Sequence, residues 1–340
     1  MVASRVEGDV FRHFDSLFYH DQINKVIQHI LPQFDRMVKR VVWFHLLFLT
    51  LLVSECFLFL VLLGFLIESS LVAASLALIF LTGFSYFALR LWITERKPKN
   101  LYELQKRYLK SCKHLLGYNS QIPEHLVELG NACGKFATQL TGREYHFWKG
   151  FRIFRSLSPL FERFSCFCHW KDVLMMKEYL LKASIEEHLK LVKCEPTSLE
   201  VHAGLANAYV MLSAVYQDPR LTDDRWLPQE RYTEDLEKKF RQTAEKAIEE
   251  FKILSEFAPE DPWVHAQLAY SYQDLQMPKE EIREYEEICR LNPQDKDALF
   301  KLGVLYFRQG ENALGLRIYE ELKRLHYSRA EQLIEHYGNY

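Results

Sequence analysis

The sequence lacks the motifs that most often carry catalysis. It contains no GxxxxGK[ST] or GxGxxG phosphate loop, no HExxH zinc helix and no GxSxG nucleophile elbow. Its 13 histidines are dispersed, so spacing alone does not bring together a Ser/His/Asp or Cys/His group. The sequence therefore indicates a protein that is not an enzyme, and it predicts neither a cofactor nor a metal ion.

Composition also disfavours disulfides and nucleic acid. The seven cysteines are scattered and odd in number, which is typical of a reduced, cytosol-type protein. The cluster of Cys166, Cys168 and His169 has no CxxC and no matching second pair, so it does not predict a zinc site. The formal net charge is −2 and no RNP-type glycine-aromatic motif occurs, so we expect no nucleic-acid partner.

Two long apolar runs stand out in the N-terminal third. Residues 41–67 carry one formally charged side chain, Glu55, and residues 71–93 are uncharged until Arg90. A membrane-spanning helix needs about 20 apolar residues, and each run reaches that length. Because only three residues separate the runs, we expect a transmembrane hairpin, 41–93, with two antiparallel spans.

Basic residues lie at the outer ends of this hairpin. Lysine and arginine are frequent in 36–40 and 96–107, whereas the loop between the runs has neither. The positive-inside rule therefore predicts an integral membrane protein with both termini in the cytosol. About 40 residues precede the first run and no small-residue cleavage site closes it, so we do not expect a cleavable signal peptide.

Glu55 is the residue of the hairpin that is energetically least favourable inside a bilayer. A carboxylate near the middle of a bilayer costs a few kcal/mol, so Glu55 should be neutral and hydrogen-bonded, or functional. In an antiparallel pair, Glu55 falls opposite Gly83, and Thr82 or Ser85 could hydrogen-bond to it. Self-association through Glu55, which would make a homo-oligomer, is the main alternative.

Amphipathic segments flank the hairpin. Apolar residues at helical spacing in 1–40 predict two short amphipathic helices, with Pro32 as an interruption before the membrane. Residues 94–122 predict a separate juxtamembrane helix that ends before Gly117.

Residues 142–170 interleave aromatic and basic side chains, within a longer segment (96–193) that has a basic excess. The aromatic positions follow helical spacing: Phe147, Phe151 and Phe154, then Phe161, Phe164 and Phe167. This composition fits a helix that lies on anionic membrane lipid. It also fits an insertion that packs into the protein core, and this second interpretation is slightly preferred.

The C-terminal half contains an internal repeat. Residues 262–295 and 296–329 are adjacent units of 34 residues. Positions 4, 7, 8 and 11 are His265, Leu268, Ala269 and Tyr272 in the first unit, and Leu299, Leu302, Gly303 and Tyr306 in the second. This pattern resembles the tetratricopeptide repeat (TPR), although Glu281 replaces the usual small residue at position 20.

Two upstream units follow the pattern with interruptions. Unit 199–261 has His202, Leu205 and Ala206 at the key positions of its first helix, and unit 123–198 would contain the aromatic stretch as its insertion. Ser328 and Glu331 form a capping box that predicts a last helix. The expected fold is therefore all-α, a two-span transmembrane hairpin followed by a TPR-like α-solenoid over 123–340 with two insertions.

The resemblance implies a protein-binding groove lined by the first helix of each repeat. The residues at groove-facing positions include Asn131, Asn207, Trp263, Gln267, Tyr270, Gln273, Lys301 and Arg308. Some family members bind the C-terminal carboxylate of a partner protein through a lysine and an asparagine. Here Val127 and Ala203 occupy the lysine position, so we do not expect that mode of binding.

These features predict a membrane-anchored scaffold that recruits a protein partner through the groove. One alternative is a bacterial effector in a host-derived inclusion membrane, because the short-looped hairpin with cytosolic ends is similar to inclusion-membrane proteins of obligate intracellular bacteria. The other alternative is a subunit of a membrane enzyme or transport complex that uses Glu55.

Overall fold

The structure is a computed structural model that describes residues 16–65, 70–148, 158–219 and 232–338. All regular elements in these ranges are helices, which confirms the predicted all-α class. The chain divides into two compact units, unit 1 (Met1–His125) and unit 2 (Leu126–Tyr340). Several predicted features lie outside the described residues: the apolar positions before residue 16, most of the loop between the apolar runs, Phe151, Phe154, and most of the insertion within 199–261.

Two long helices form most of unit 1: α1 (Ser16–Phe65) and α2 (Ser70–Leu116). Two side-chain pairs show that they run antiparallel: Glu55 with Thr82, and His45 with Tyr86. The register agrees with the count made along the sequence.

Helix α1 continues through Pro32, so the predicted interruption and the predicted pair of short helices are wrong for the described residues. Proline removes one backbone hydrogen bond, but Ile27 and Phe34 on either side are fully buried. Packing of this face offsets the lost bond. Helix α2 likewise continues through Pro98, so the juxtamembrane helix is an extension of the second apolar run and not a separate element. Its predicted end is confirmed, because Gly117 follows it with a φ of 59°.

The apolar parts of α1 and α2 expose their side chains. Phe57, Phe80, Phe84 and Leu91 are 69%, 71%, 74% and 71% exposed. Core helices of soluble proteins bury such residues. Both helices are long and apolar enough to cross a membrane.

Unit 2 is a series of helix pairs. Its helices are α3 (Pro123–Gln139), α4 (Ser158–Cys194), α5 (Leu199–Tyr216), α6 (Glu234–Phe257), α7 (Pro262–Asp274), α8 (Pro278–Leu291), α9 (Lys296–Arg308), α10 (Asn312–Arg324) and α11 (Ala330–Ile334). The second helix of each pair packs on the first helix of the next, as α4 does on α5, α6 on α7 and α8 on α9. This order of contacts is that of a helical solenoid.

The helix pairs coincide with the repeats found in the sequence, since α7–α8 and α9–α10 occupy 262–295 and 296–329. Small residues at position 8 allow close approach. A Cβ atom on Gly303 would lie 3.1 Å from Ile318 Cγ2 on α10 and 2.7 Å from Leu333 Cδ2 on α11. The TPR-like solenoid predicted from the repeats is therefore present.

The last helix, α11, packs on α9 and α10 and buries Leu333 completely. Its N-cap is Arg329, with no capping hydrogen bond from a side chain, so the predicted capping box of Ser328 and Glu331 is wrong. The Glu331 carboxylate instead accepts a hydrogen bond from the Tyr319 hydroxyl at 2.9 Å. That bond joins the Glu331 carboxylate to α10.

Candidate protein-binding groove

The predicted groove residues all lie on the first helix of a pair. Seven of the eight are exposed and Gln267 is half-buried. By helix they are Asn131 on α3, Asn207 on α5, Trp263, Gln267, Tyr270 and Gln273 on α7, and Lys301 and Arg308 on α9. They are therefore accessible along four successive first helices of the solenoid.

Tyr270 and Lys301 are in direct contact, which joins two neighbouring repeats. The Lys301 ammonium donates to the Tyr270 hydroxyl at 3.3 Å and lies 4.6 Å from the centre of its ring. Burial alone would lower the pKa of Lys301, but its interactions with Tyr285 and Tyr270 raise the pKa instead. A cation is therefore held over an exposed aromatic ring between α7 and α9.

Glu281, the residue that departs from the repeat pattern, is a buried carboxyl group beside this contact. It is 6% exposed, near the start of α8. Burial raises its pKa to about 7, although the positive charges of Arg308 and Lys301 oppose the shift and Asp274 adds to it. The site therefore contains a group that changes charge near neutral pH.

Two histidines that the repeat pattern places at position 4 make the same set of contacts in successive repeats, although the sequence did not predict those contacts. His202 Nδ1 lies 2.7 Å from Glu250 Oε2, and its Nε2 lies 3.0 Å from the Pro196 carbonyl. His265 repeats these distances with Glu284 and Pro259. The available signal was a proline six residues before each histidine at position 4 of the repeat.

The aromatic stretch divides into a packed part and an exposed part. Phe147 is 4% exposed, its ring centre lies 4.4 Å from that of His169, and Trp148 Nε1 donates to His169 Nε2 at 2.9 Å. Phe164 and Phe167 are 40% and 56% exposed on α4. The core interpretation therefore holds for Phe147 and Trp148 at the start of the stretch, whereas Phe164 and Phe167 on α4 lie at the surface.

A cavity of about 320 Å³ lies between α4, the 3-10 helix at Arg143–Tyr145 and the end of α5. Lys177 lines it, and burial lowers the pKa of this lysine although the Glu144 charge opposes the shift. No sequence motif pointed to this cavity.

Two pairs of polar side chains meet between the helices of the apolar hairpin. The Thr82 hydroxyl donates to Glu55 Oε1 at 2.8 Å, and both side chains are buried. Ser85 is half-buried on the same helix. The Tyr86 hydroxyl lies 3.3 Å from His45 Nδ1, a second polar contact that the sequence reasoning missed. A direct interhelical partner for Glu55 is thus present in unit 1.

Within the described ranges, no group of three or more His, Cys, Asp or Glu side chains is arranged to hold a metal ion. None of the seven cysteines is in a disulfide.

Comparison with known proteins gives no family. No protein-family profile matches the chain, and no curated protein matches it in sequence. Solved structures with helix pairs of this kind include the protein MamA, at 13% identity over 70% of this chain and 90% of that one, with a TM-score of 0.37. A TPR protein of Thermus thermophilus is 18% identical over 73% of this chain and 96% of that one, with a TM-score of 0.33. The TPR2AB domain of yeast Sti1, in complex with pHSP90, is 16% identical over 71% and 94%, with a TM-score of 0.25.

Proposed function

We propose that this protein is a membrane-anchored scaffold that recruits a protein partner to the cytosolic face of a membrane. The proposal rests on one observation: the two units expose different kinds of side chain. Unit 1 exposes large apolar side chains along two helices, and unit 2 exposes polar and aromatic side chains along the first helices of its pairs.

The two apolar helices are proposed to span the membrane as an antiparallel hairpin. Water would contact most of their apolar side chains in a soluble protein, at a cost of about 25 cal/mol per Å². A bilayer removes that cost, and the buried Glu55–Thr82 hydrogen bond reduces the cost of the one carboxyl group. Because this bond gives one oxygen of Glu55 a partner within the hairpin, we favour the scaffold over a transport or enzyme subunit.

The partner is proposed to bind across α7 and α9. Trp263 and Tyr270 are 43% and 44% exposed, and exposed aromatic residues beside a cation are typical of energetic centres in protein interfaces. Lys301 is already held in place by Tyr270, so less side-chain freedom is lost on binding. We also propose anionic lipid as a second partner, through the basic and aromatic residues of 142–170.

The binding proposal is tested with the full chain in lipid nanodiscs. A photo-crosslinking amino acid at Tyr270 should capture a partner that is not captured from Leu316, a control position on α10 with 39% exposure. Tyr270→Ala should then weaken binding of the purified partner about tenfold, and Leu316→Ala should leave it unchanged. Equal capture from both positions, or equal affinity of both variants, would contradict a groove on the first helices.

The topology is tested by labelling with a membrane-impermeant maleimide in sealed cells. Cys194 is exposed on unit 2 and should be labelled only after the membrane is permeabilised. A cysteine introduced at Ser69, between the runs, should be labelled without permeabilisation. The opposite pattern would place the C-terminal unit outside the cytosol.

A further inference from the structure

One face of α4 combines large apolar side chains with positive charges at the surface. Leu160, Phe164 and Phe167 are 61%, 40% and 56% exposed, and Arg163 and Lys171 are exposed beside them. At 100° per residue, these five positions fall within an arc of about 100° around the helix axis. We refer to these five residues as the α4 face.

The acidic residues of this part of α4 lie away from the α4 face. Asp172 is buried at 1% exposure, and Glu162 is half-buried on the opposite side of the helix. Further along α4, the first carboxylate on the same side of the helix as the α4 face is that of Glu178. Its Oε1 atom lies 2.6 Å from Lys182 Nζ, so its charge is paired. Over the described residues 158–171, the α4 face therefore carries positive charge without a compensating negative one.

Ser165 and His169 fix the orientation of the helix. Both are completely buried. The Ser165 hydroxyl donates to the Glu144 carbonyl at 2.6 Å and accepts from the Phe147 backbone at 3.1 Å. Since these contacts hold one side of α4 inside unit 2, the exposed side is a fixed surface.

We propose that the α4 face docks on the surface of an anionic lipid bilayer. The two phenylalanines and Leu160 would enter the boundary between headgroups and acyl chains, while Arg163 and Lys171 contact anionic headgroups. This inference rests on the proposed membrane anchor and deepens the proposed lipid contact, because it assigns that contact to five residues of one helix.

Two physical arguments favour a bilayer as the occupant. The charges of the α4 face complement an anionic leaflet, where each lysine or arginine contributes about 1 kcal/mol. A hairpin in the same chain would also keep unit 2 close to the membrane, so docking becomes an intramolecular step at high effective concentration. Under those conditions three apolar side chains and two cations suffice, whereas a free protein would need a larger contact.

The test uses the full chain in nanodiscs of phosphatidylcholine alone or mixed with phosphatidylserine. A photo-crosslinking amino acid is placed at Phe164, at Phe167 or at Leu316, a control on α10 with 39% exposure. Positions 164 and 167 should form lipid adducts, more strongly with phosphatidylserine, and position 316 should not. Arg163→Ala and Lys171→Ala should each lower the ratio of docked to free protein about fivefold with the anionic lipid.

Three outcomes would overturn the docking proposal: lipid adducts no more frequent at 164 and 167 than at 316, adducts to another segment of the chain, or adducts to a second copy. Retention of the chain in the disc after alkaline extraction is measured on the same samples. A retained chain without lipid adducts refutes docking alone. A chain that is not retained refutes the membrane anchor itself, and the docking proposal with it.

Discussion

Replacing Glu284 by glutamine removes the negative charge that His265 contacts, and the structure predicts how stability should respond. His265 Nδ1 lies 2.7 Å from Glu284 Oε2, and Nε2 lies 3.0 Å from the Pro259 carbonyl. Both partners accept hydrogen bonds only, so both ring nitrogens must donate, which requires the imidazolium form. Burial by itself lowers the pKa of His265, but the bonds to Glu284 and Pro259 raise it above the usual value.

The sign and size of the effect follow from this raised pKa. The folded state binds the proton more tightly than the unfolded chain, so the stabilisation is complete below the unfolded-state pKa of about 6.5. It is lost as the pH rises through the higher folded-state pKa. A hydrogen bond to a charged group contributes about 1.5–3 kcal/mol, and partial exposure of the pair favours the lower end. Glu284→Gln should therefore lower the free energy of unfolding by about 1.5 kcal/mol at pH 6 and much less at pH 9.

Thermal unfolding of the full chain in detergent, followed by circular dichroism, measures this difference. For a unit of this size, 1.5 kcal/mol corresponds to a Tm decrease of about 3–6 °C at pH 6. Glu256→Gln, an exposed position on α6, is the matched control and should leave the pH profile of the wild type unchanged. If Glu284→Gln reduces Tm equally at pH 6 and pH 9, His265 is not held as a cation and the reasoning is refuted.

Three further changes test other parts of the structure. Glu55→Gln keeps an oxygen that can accept a hydrogen bond from Thr82, so membrane insertion and oligomeric state should not change. Alkaline extraction measures insertion, and size-exclusion chromatography measures the oligomeric state. An altered oligomeric state would instead indicate self-association through Glu55. Glu281→Gln should remove a loss of stability that the wild type shows as the pH rises through about 7, measured by thermal unfolding; an unchanged profile would contradict the raised pKa. Gly303→Ala should cost about 1–3 kcal/mol in chemical unfolding, because the new methyl group meets Leu333; a neutral effect would show that this side chain moves aside.

Periodicity and counting predicted much of this structure. The 34-residue period placed the α7–α8 and α9–α10 pairs, and the antiparallel count placed Thr82 beside Glu55. Both predictions depend on regular helix geometry, which sequence spacing expresses directly. Position along a first helix also identified surface-accessible residues of the candidate groove.

Other features depend on packing and on partners distant in sequence. The continuation of α1 through Pro32 requires the buried face formed by Ile27 and Phe34, which local rules for proline do not include. His202 finds its carboxylate partner 48 residues away, across the interrupted repeat. Local spacing predicts the apolar face of α1 but not the continuation of the helix through Pro32, and it does not identify Glu250 as the partner of His202.

Position 20 of the repeat shows how a departure from the pattern changes the chemistry next to the groove. In the α9–α10 pair this position is Gly315, and an added Cβ would lie 2.5 Å from Phe307 Cε1 at position 12. The phenylalanine ring occupies the space and requires glycine. In the α7–α8 pair, positions 12 and 20 are Gln273 and Glu281. Two polar residues therefore stand where the α9–α10 pair has a phenylalanine and a glycine.

That replacement puts an ionisable group where a packing contact would otherwise be. Glu281 is buried near the start of α8, its pKa is about 7, and the charges of Lys301 and Arg308 on α9 act on it. Because α8 packs directly on α9, loss of the Glu281 proton adds a negative charge beside the two groove cations. An acidic partner should therefore bind more weakly at pH 8 than at pH 6, and Glu281→Gln should abolish the difference. Binding to the full chain in nanodiscs measures this, and a pH dependence that survives in Glu281→Gln would assign the effect to another group.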